Sequence, residues 1–259
     1  MNTLDAIIDA KKREIDALPV ISSGCAEGPS FIAAILSRRP GLIAEIKPRS
    51  PSSGHLLDRK NVSAYIKLYE RHAQAISVLC DKPFFGGGFD LLSEVRTMTK
   101  MPLLAKEFIL SAKQIDHAIV HGANAVLLIA AIVNVNVLME LARYAIEHGL
   151  DVLIEIHARE EVATAAQLFG ALTDDEKRHI VLGINRRDLS TLTIDKGAAE
   201  ALVPLSMERL PGLRCIIAES GIETREDIER LQPLVHGFLI GTSILTADDP
   251  EVCLASLFS

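Results

Sequence analysis

The run Ala125-Val126-Leu127-Leu128-Ile129, then an amphipathic segment over 136–148, then Val152-Leu153-Ile154-Glu155-Ile156, decides the fold class. In the middle segment Val137, Leu138, Leu141, Ala142 and Ala145 share one helical face, with Arg143 and Glu147 elsewhere. The flanking runs are short and almost wholly apolar, as strands of a parallel sheet buried on both faces must be. The stretch therefore reads as strand, helix, strand. Working outward, the same alternation predicts strands at 42–47, 75–80, 103–106, 125–129, 152–156, 181–185, 215–219 and 237–241. Eight such units predict a closed (β/α)8 TIM barrel in the α/β class, since an open doubly wound sheet uses about five or six strands.

The chain has 259 residues, close to the ~250 typical of one such barrel, so residues 1–259 are expected to form a single domain. Two helical patterns at 3–18 and 30–38 precede the first strand, and residues 1–40 read as an N-terminal helical extension capping the barrel. Ser111 with Gln114, and more weakly Thr224 with Asp227, have the form of capping boxes opening the helices after the third and seventh strands. Gly, Ser and Pro cluster at 22–29 and 48–54; the second cluster follows the first strand and is expected to be a moving loop.

Lys and Arg total 27 against 34 Asp and Glu, a net charge of -7, which argues against a nucleic-acid binder. The longest apolar run, 125–133, is too short to span a membrane, and a cytoplasmic location is expected. Cys25, Cys80, Cys215 and Cys253 are scattered and read as reduced structural thiols. His117 and His121 share a helix face at i, i+4 spacing but lack the glutamate of HExxH, so a solvated face is expected and no metal site.

In a barrel of this kind the active site is built at the C-terminal ends of the strands. Those ends are unusually charged here: Glu45-Ile46-Lys47, Lys106-Glu107, Glu155, Asn185-Arg186-Arg187 and Glu219-Ser220-Gly221. Alternation puts Glu45 and Lys47 on one side of their strand and separates Glu155 from Ile154 and Ile156. Converging lysines and carboxylates tune one another's proton affinity, which suits acid-base catalysis. Gly221 and Gly241-Thr242-Ser243 follow the seventh and eighth strands, where barrels bind phosphate through loop amides. Gly86-Gly87-Gly88 lacks GxGxxG spacing and reads as a turn, so no dinucleotide cofactor is implied.

Taken with their order, these blocks resemble the indole-3-glycerol phosphate synthase family over most of the chain. The resemblance is carried by Ile43-Ala44-Glu45-Ile46-Lys47 with Ser50-Pro51-Ser52, Ile76-Ser77-Val78-Leu79 with Phe84-Phe85-Gly86-Gly87, and Lys106-Glu107-Phe108. It continues through Ile154-Glu155-Ile156-His157, Gly183-Ile184-Asn185-Arg186-Arg187-Asp188-Leu189 and Ala218-Glu219-Ser220-Gly221-Ile222. It implies a decarboxylating, dehydrating ring closure of 1-(2-carboxyphenylamino)-1-deoxyribulose 5-phosphate in tryptophan biosynthesis, with no metal or organic cofactor. Lys106 would be the acid and Glu155 the base, with Glu45 and Lys47 assisting. Asn185, Arg187, Glu219 and Ser220 would orient the substrate. Lys47, Ser50, Gly221, Gly241 and Thr242 would hold the phosphate, and Phe85, Phe108 and Ile129 the anthranilate ring. The partner is then a phosphorylated small molecule, the chain is expected to be monomeric, and other pathway enzymes are conceivable partners.

Three positions depart from the usual pattern: Glu107 follows the lysine where Asp is common, Arg186 stands where a second Asn is common, and Ser53 replaces a loop lysine. Ser53 bears on the electrostatics of the loop and Arg186 on contacts to the substrate carboxylate, and neither departure removes a proposed acid or base. Phosphoribosylanthranilate isomerase or another phosphosugar barrel is the alternative enzyme. It would share the phosphate loops without needing two lysines beside Glu155, and the long extension and the Glu-Ile-Lys block argue against it. A catalytically silent barrel would leave the full set of acids and bases without a purpose.

Overall fold

A computed structural model describes residues 3–188 and 191–258; Leu189, quoted above in the Gly183 block, lies outside them. Among the described residues, eight parallel strands close a barrel: β1 (Gly41–Ile46), β2 (Ala75–Leu79), β3 (Leu103–Lys106), β4 (Ala125–Ile129), β5 (Asp151–Ile156), β6 (Ile180–Asn185), β7 (Ile216–Glu219) and β8 (Gly237–Ile240). Each bonds to the next and β8 returns to β1, pairing Gly41 with Gly237. Helices α1 (Thr3–Ala17) and α2 (Phe31–Leu36) precede the barrel. Around it run α3 (Val62–His72), α4 (Phe89–Met98), α5 (Ala112–Val120), α6 (Val135–Glu147), α7 (Arg159–Ala171), the short α8 (Asp174–Lys177), α9 (Ala198–Arg209), α10 (Arg225–Leu231), and α11 (Thr242–Leu245) with α12 (Pro250–Phe258). The expected TIM barrel is the observed one.

Strand alternation sorts the core into two apolar bodies. Ile43, Leu104, Leu127, Leu153, Val181, Ile217 and Leu239 fill the barrel interior. Their neighbours, such as Leu42, Val126, Leu128, Ile154, Leu182 and Phe238, face outward and pack under the helices. Full burial of each such side chain stabilises by about 1.5–3 kcal/mol. The mean pattern is so apolar because both faces of every strand are covered.

The extension is threaded from the mouth of the barrel to its floor. Ile7 of α1 and Phe31, Ile32 and Ile35 of α2 belong to the interior cluster. Between them the chain is strapped to the outer helices. His117 Nε2 lies 3.0 Å from the Pro19 carbonyl, Ser23 Oγ donates to Asp116 (2.5 Å), Ala26 N–H donates to the His148 carbonyl (2.7 Å), and Asn124 Nδ2 donates to the Glu27 carbonyl (2.9 Å). This corrects the solvated face expected for the histidine pair: His117 is only 6% exposed, because the strap covers α5. Its ring stacks on His121 at 5.7 Å.

Element ends differ from expectation by a residue or two where a cap decides. The 30–38 segment shortens to Phe31–Leu36 because Ser30 is its N-cap, accepting from Ala33 N–H. The 136–148 helix starts at Val135 because the Asn134 side chain accepts from Asn136 and Val137 N–H. Both expected capping boxes form, and that of Thr224 and Asp227 is complete.

Candidate active site

The C-terminal ends of the strands enclose a cavity of about 580 Å³, and every residue singled out from the sequence as catalytic or substrate-binding lines it. Register explains the convergence. Ile129 pairs with Glu155 across β4 and β5, and Asn185 with Glu219 across β6 and β7, so side chains far apart in sequence share one layer of the mouth.

Lys106 stands at the centre, with Nζ 2.9 Å from Glu155 Oε2 and 3.2 Å from Glu219 Oε2. Both carboxylates are 1% exposed. Burial lowers the proton affinity of the ammonium, but Glu155, Glu219 and Glu45 outweigh it and raise it above the usual lysine value. Burial likewise opposes ionisation of Glu155, yet Lys106 and His157 hold it below the usual carboxylate range. Glu219 goes the other way: burial and the neighbouring Glu155 charge prevail over Lys106 and push it up to about 8. Two facing carboxyls with proton affinities driven apart form an acid-base arrangement.

A second pair adjoins the first. Lys47 Nζ is 2.7 Å from Glu45 Oε1 and donates to Thr242 Oγ1 at 3.1 Å. Two glycines make room for these carboxylates: a Cβ on Gly183 would overlap Glu219 Oε1, and one on Gly241 would come within 2.5 Å of Glu45 Oε1. After β7, Ser220 takes φ 65°, an uncommon left-handed conformation for a residue other than glycine, and Gly221 follows at φ 65°. Asn185 Oδ1 accepts from Arg187 N–H at 3.0 Å, and the Arg187 guanidinium donates to the Leu192 carbonyl at 2.9 Å. Ser50, Ser220, Gly221, Gly241 and Thr242 line the cavity. Phe85, Phe108 and Ile129 line it too, the two rings lying 6.1 Å apart.

One strand-end residue stands apart. Arg186 does not line the cavity: as the outward-facing neighbour of Asn185 it is 1% exposed, and it donates to the Gly221 carbonyl at 3.3 Å. Strand parity forbids it from reaching a substrate carboxylate.

Four features escaped sequence reasoning. Leu4 and Ile7 of α1 form part of the cavity wall. Lys11 of α1, 2% exposed, reaches Asp81 at 2.8 Å and Glu107 at 3.1 Å, pinning α1 to the ends of β2 and β3. Burial pushes Glu107 up to about 7 against the pull of Lys11. His157 lies 3.1 Å from Glu155 Oε1. A charged residue in a helix with polar neighbours carries no mark of burial, and only the fold brings these partners together.

The profile of one family, indole-3-glycerol phosphate synthase, matches residues 4–257. The chain belongs to the indole-3-glycerol phosphate synthase family. An indole-3-glycerol phosphate synthase of Syntrophobacter fumaroxidans is 36% identical over 269 residues, covering 98% of this chain and 97% of its own. One from Campylobacter jejuni is 38% identical over 218 residues, covering 83% and 80%. A Buchnera aphidicola "Tryptophan biosynthesis protein TrpCF" is 33% identical over 89% of this chain but only 48% of its own length. Among solved structures, the tryptophan synthase A-subunit of Pyrococcus furiosus superposes with a TM-score of 0.60 at 15% identity, covering 85% of this chain and 97% of that one. That likeness places the chain in the same barrel fold and says nothing of its chemistry. Among the described residues, no helix is long and apolar enough to cross a membrane.

Proposed function

We propose that this chain closes the pyrrole ring of indole-3-glycerol phosphate from 1-(2-carboxyphenylamino)-1-deoxyribulose 5-phosphate, releasing carbon dioxide and water. Family membership supports the reaction, and the observation that carries the division of roles is Lys106 held between Glu155 and Glu219. The aromatic carbon bearing the carboxylate attacks the ketone, and Lys106 gives a proton to the developing alkoxide. Loss of carbon dioxide restores the aromatic ring. Glu155 then removes the remaining proton of the new ring while a lysine ammonium, Lys47 or a reprotonated Lys106, protonates the departing hydroxyl, which leaves as water.

Glu45 and Lys47 assist: Glu45 holds Lys47 in an ion pair, and Lys47 beside Thr242 is placed to meet the phosphate or the substrate carboxylate. The phosphate sits at the loops after β7 and β8, against Ser50, Ser220, Gly221, Gly241 and Thr242. Phe85, Phe108 and Ile129 hold the anthranilate ring, while Asn185, Arg187 and Glu219 orient the chain between. Residues 1–259 act as one unit, with 1–40 as its cap; the protein works as a monomer in the cytoplasm, open to contact with other enzymes of its pathway. Purified protein supplied with the substrate in chelator should produce indole absorbance and fluorescence. Absence of product at every pH would overturn the assignment.

A further inference from the structure

We propose that His157 is a positioning residue for Glu155, a largely buried imidazolium beside the carboxylate that keeps it ionised and aimed at the cavity while Lys106 gives up its proton. The proposal rests on the reading of Lys106 as acid and Glu155 as base.

The two oxygens of Glu155 meet different cations. Oε2 is 2.9 Å from Lys106 Nζ on the cavity side, and Oε1 is 3.1 Å from His157 Nε2. His157 does not line the cavity, and it meets the Glu155 oxygen that Lys106 leaves free. Its other nitrogen, Nδ1, is 3.3 Å from Glu161 Oε2. That oxygen is fixed by the backbone N–H of His157 at 2.8 Å. Glu161 belongs to the first turn of α7, so the end of β5 and the start of α7 close on the ring from both sides. Nε2 makes no aligned hydrogen bond, so its tie to Glu155 is the ion pair itself; a neutral imidazole would leave a lone pair facing one of the two carboxylates, whereas the charged ring stands within ion-pair distance of both. Burial lowers the ring's proton affinity, but Glu155 and Glu161 outweigh it and push the pKa up to about 10. Beyond Glu155 the charged neighbours are Lys106 on β3 and Glu219 on β7.

The reaction gives this cation a purpose. When Lys106 protonates the alkoxide its nitrogen becomes a neutral amine, and Glu155 loses the positive charge on its cavity side. A desolvated carboxylate beside a second carboxyl would then take up a proton and cease to be a base. His157 does not touch substrate, so its charge persists through both steps. The proton spent by the acid is thereby kept separate from the site that must later accept one.

The test is the pH dependence of turnover. His157→Asn keeps a polar side chain and removes the charge. The acid limb of its kcat profile should move up by about 1 unit or more, with roughly 10-fold loss at about pH 6 and recovery to within about 3-fold of the unaltered protein at about pH 8.5. Glu161→Gln should move the limb in the same direction by less. Nitrogen-15 spectra of the unaltered protein at about pH 8 should show both His157 nitrogens protonated. A neutral ring there overturns the proposal, as does a limb that stays in place or a loss uniform across pH. Glu155→Gln separates the two readings: full turnover in that variant removes the base assignment itself, whereas an inactive variant beside an unshifted His157→Asn profile removes only the role of His157.

Discussion

Gly183→Ala adds one methyl group at the point where β6 faces the acid-base cluster, and its consequence can be worked from the packing. The new Cβ would overlap Glu219 Oε1 and stand 3.0 Å from Leu153 Cδ1. Nonbonded atoms settle at about 3.5–4.0 Å, so the carboxylate must retreat by ~1 Å. Glu219 is 1% exposed and shares Lys106 with Glu155, so its retreat lengthens the 3.2 Å contact and lets Lys106 drift toward Glu155. Overpacking of this kind costs about 1–3 kcal/mol, and at about 2–4 °C per kcal/mol for a chain of this length melting should fall by several degrees. A reacting group misplaced by ~1 Å loses about 10²-fold in rate. Activity should therefore suffer far more than stability. Steady-state turnover and a thermal melt on the same preparation read both. Turnover within about two-fold of the unaltered protein would refute the tight coupling of Gly183, Glu219 and Lys106.

Other expectations follow from the same contacts. Lys106→Met should abolish product formation while inorganic phosphate still binds, measured by calorimetry; near-normal turnover would remove Lys106 from the acid role. Lys11→Met leaves Asp81 and Glu107 buried without their shared cation; it should cost about 3–5 kcal/mol in urea unfolding and expose α1 to proteolysis. Because the folded-state pKa of Glu107 is raised from 4.5 to about 7, its contribution to stability is complete below 4.5 and lost as pH rises through about 7. Glu107→Gln should therefore gain on the unaltered protein across that window, by at most about 3 kcal/mol. Equal pH slopes for the two proteins would contradict the raised value.

The barrel was legible because burial on both strand faces forces apolar runs, and eight of them in alternation with helices permit few other arrangements. The polar residues at the strand ends stood out against that background, so Glu45, Lys106, Glu155 and Glu219 could be read directly. The place of Arg186 stayed open because it neighbours two cavity residues, and strand parity shows that it faces outward. Lys11 and His117 escaped for a different reason: their burial is created by the extension folding over α5 and the ends of β2 and β3, a long-range contact that local periodicity does not record. His157 was visible as one letter of the Ile154-Glu155-Ile156-His157 block, but its pairing with both Glu155 and Glu161 comes from the fold.

The account turns on Lys106 and Glu155 serving separate steps, and Glu155→Gln with substrate labelled in its carboxylate tests this directly. Carbon dioxide release and indole fluorescence are followed together in the stopped flow. If Glu155 is the base of the dehydration, labelled carbon dioxide appears while indole does not, and the undehydrated intermediate accumulates. Carbon dioxide and indole appearing in parallel at the unaltered rate would contradict the account.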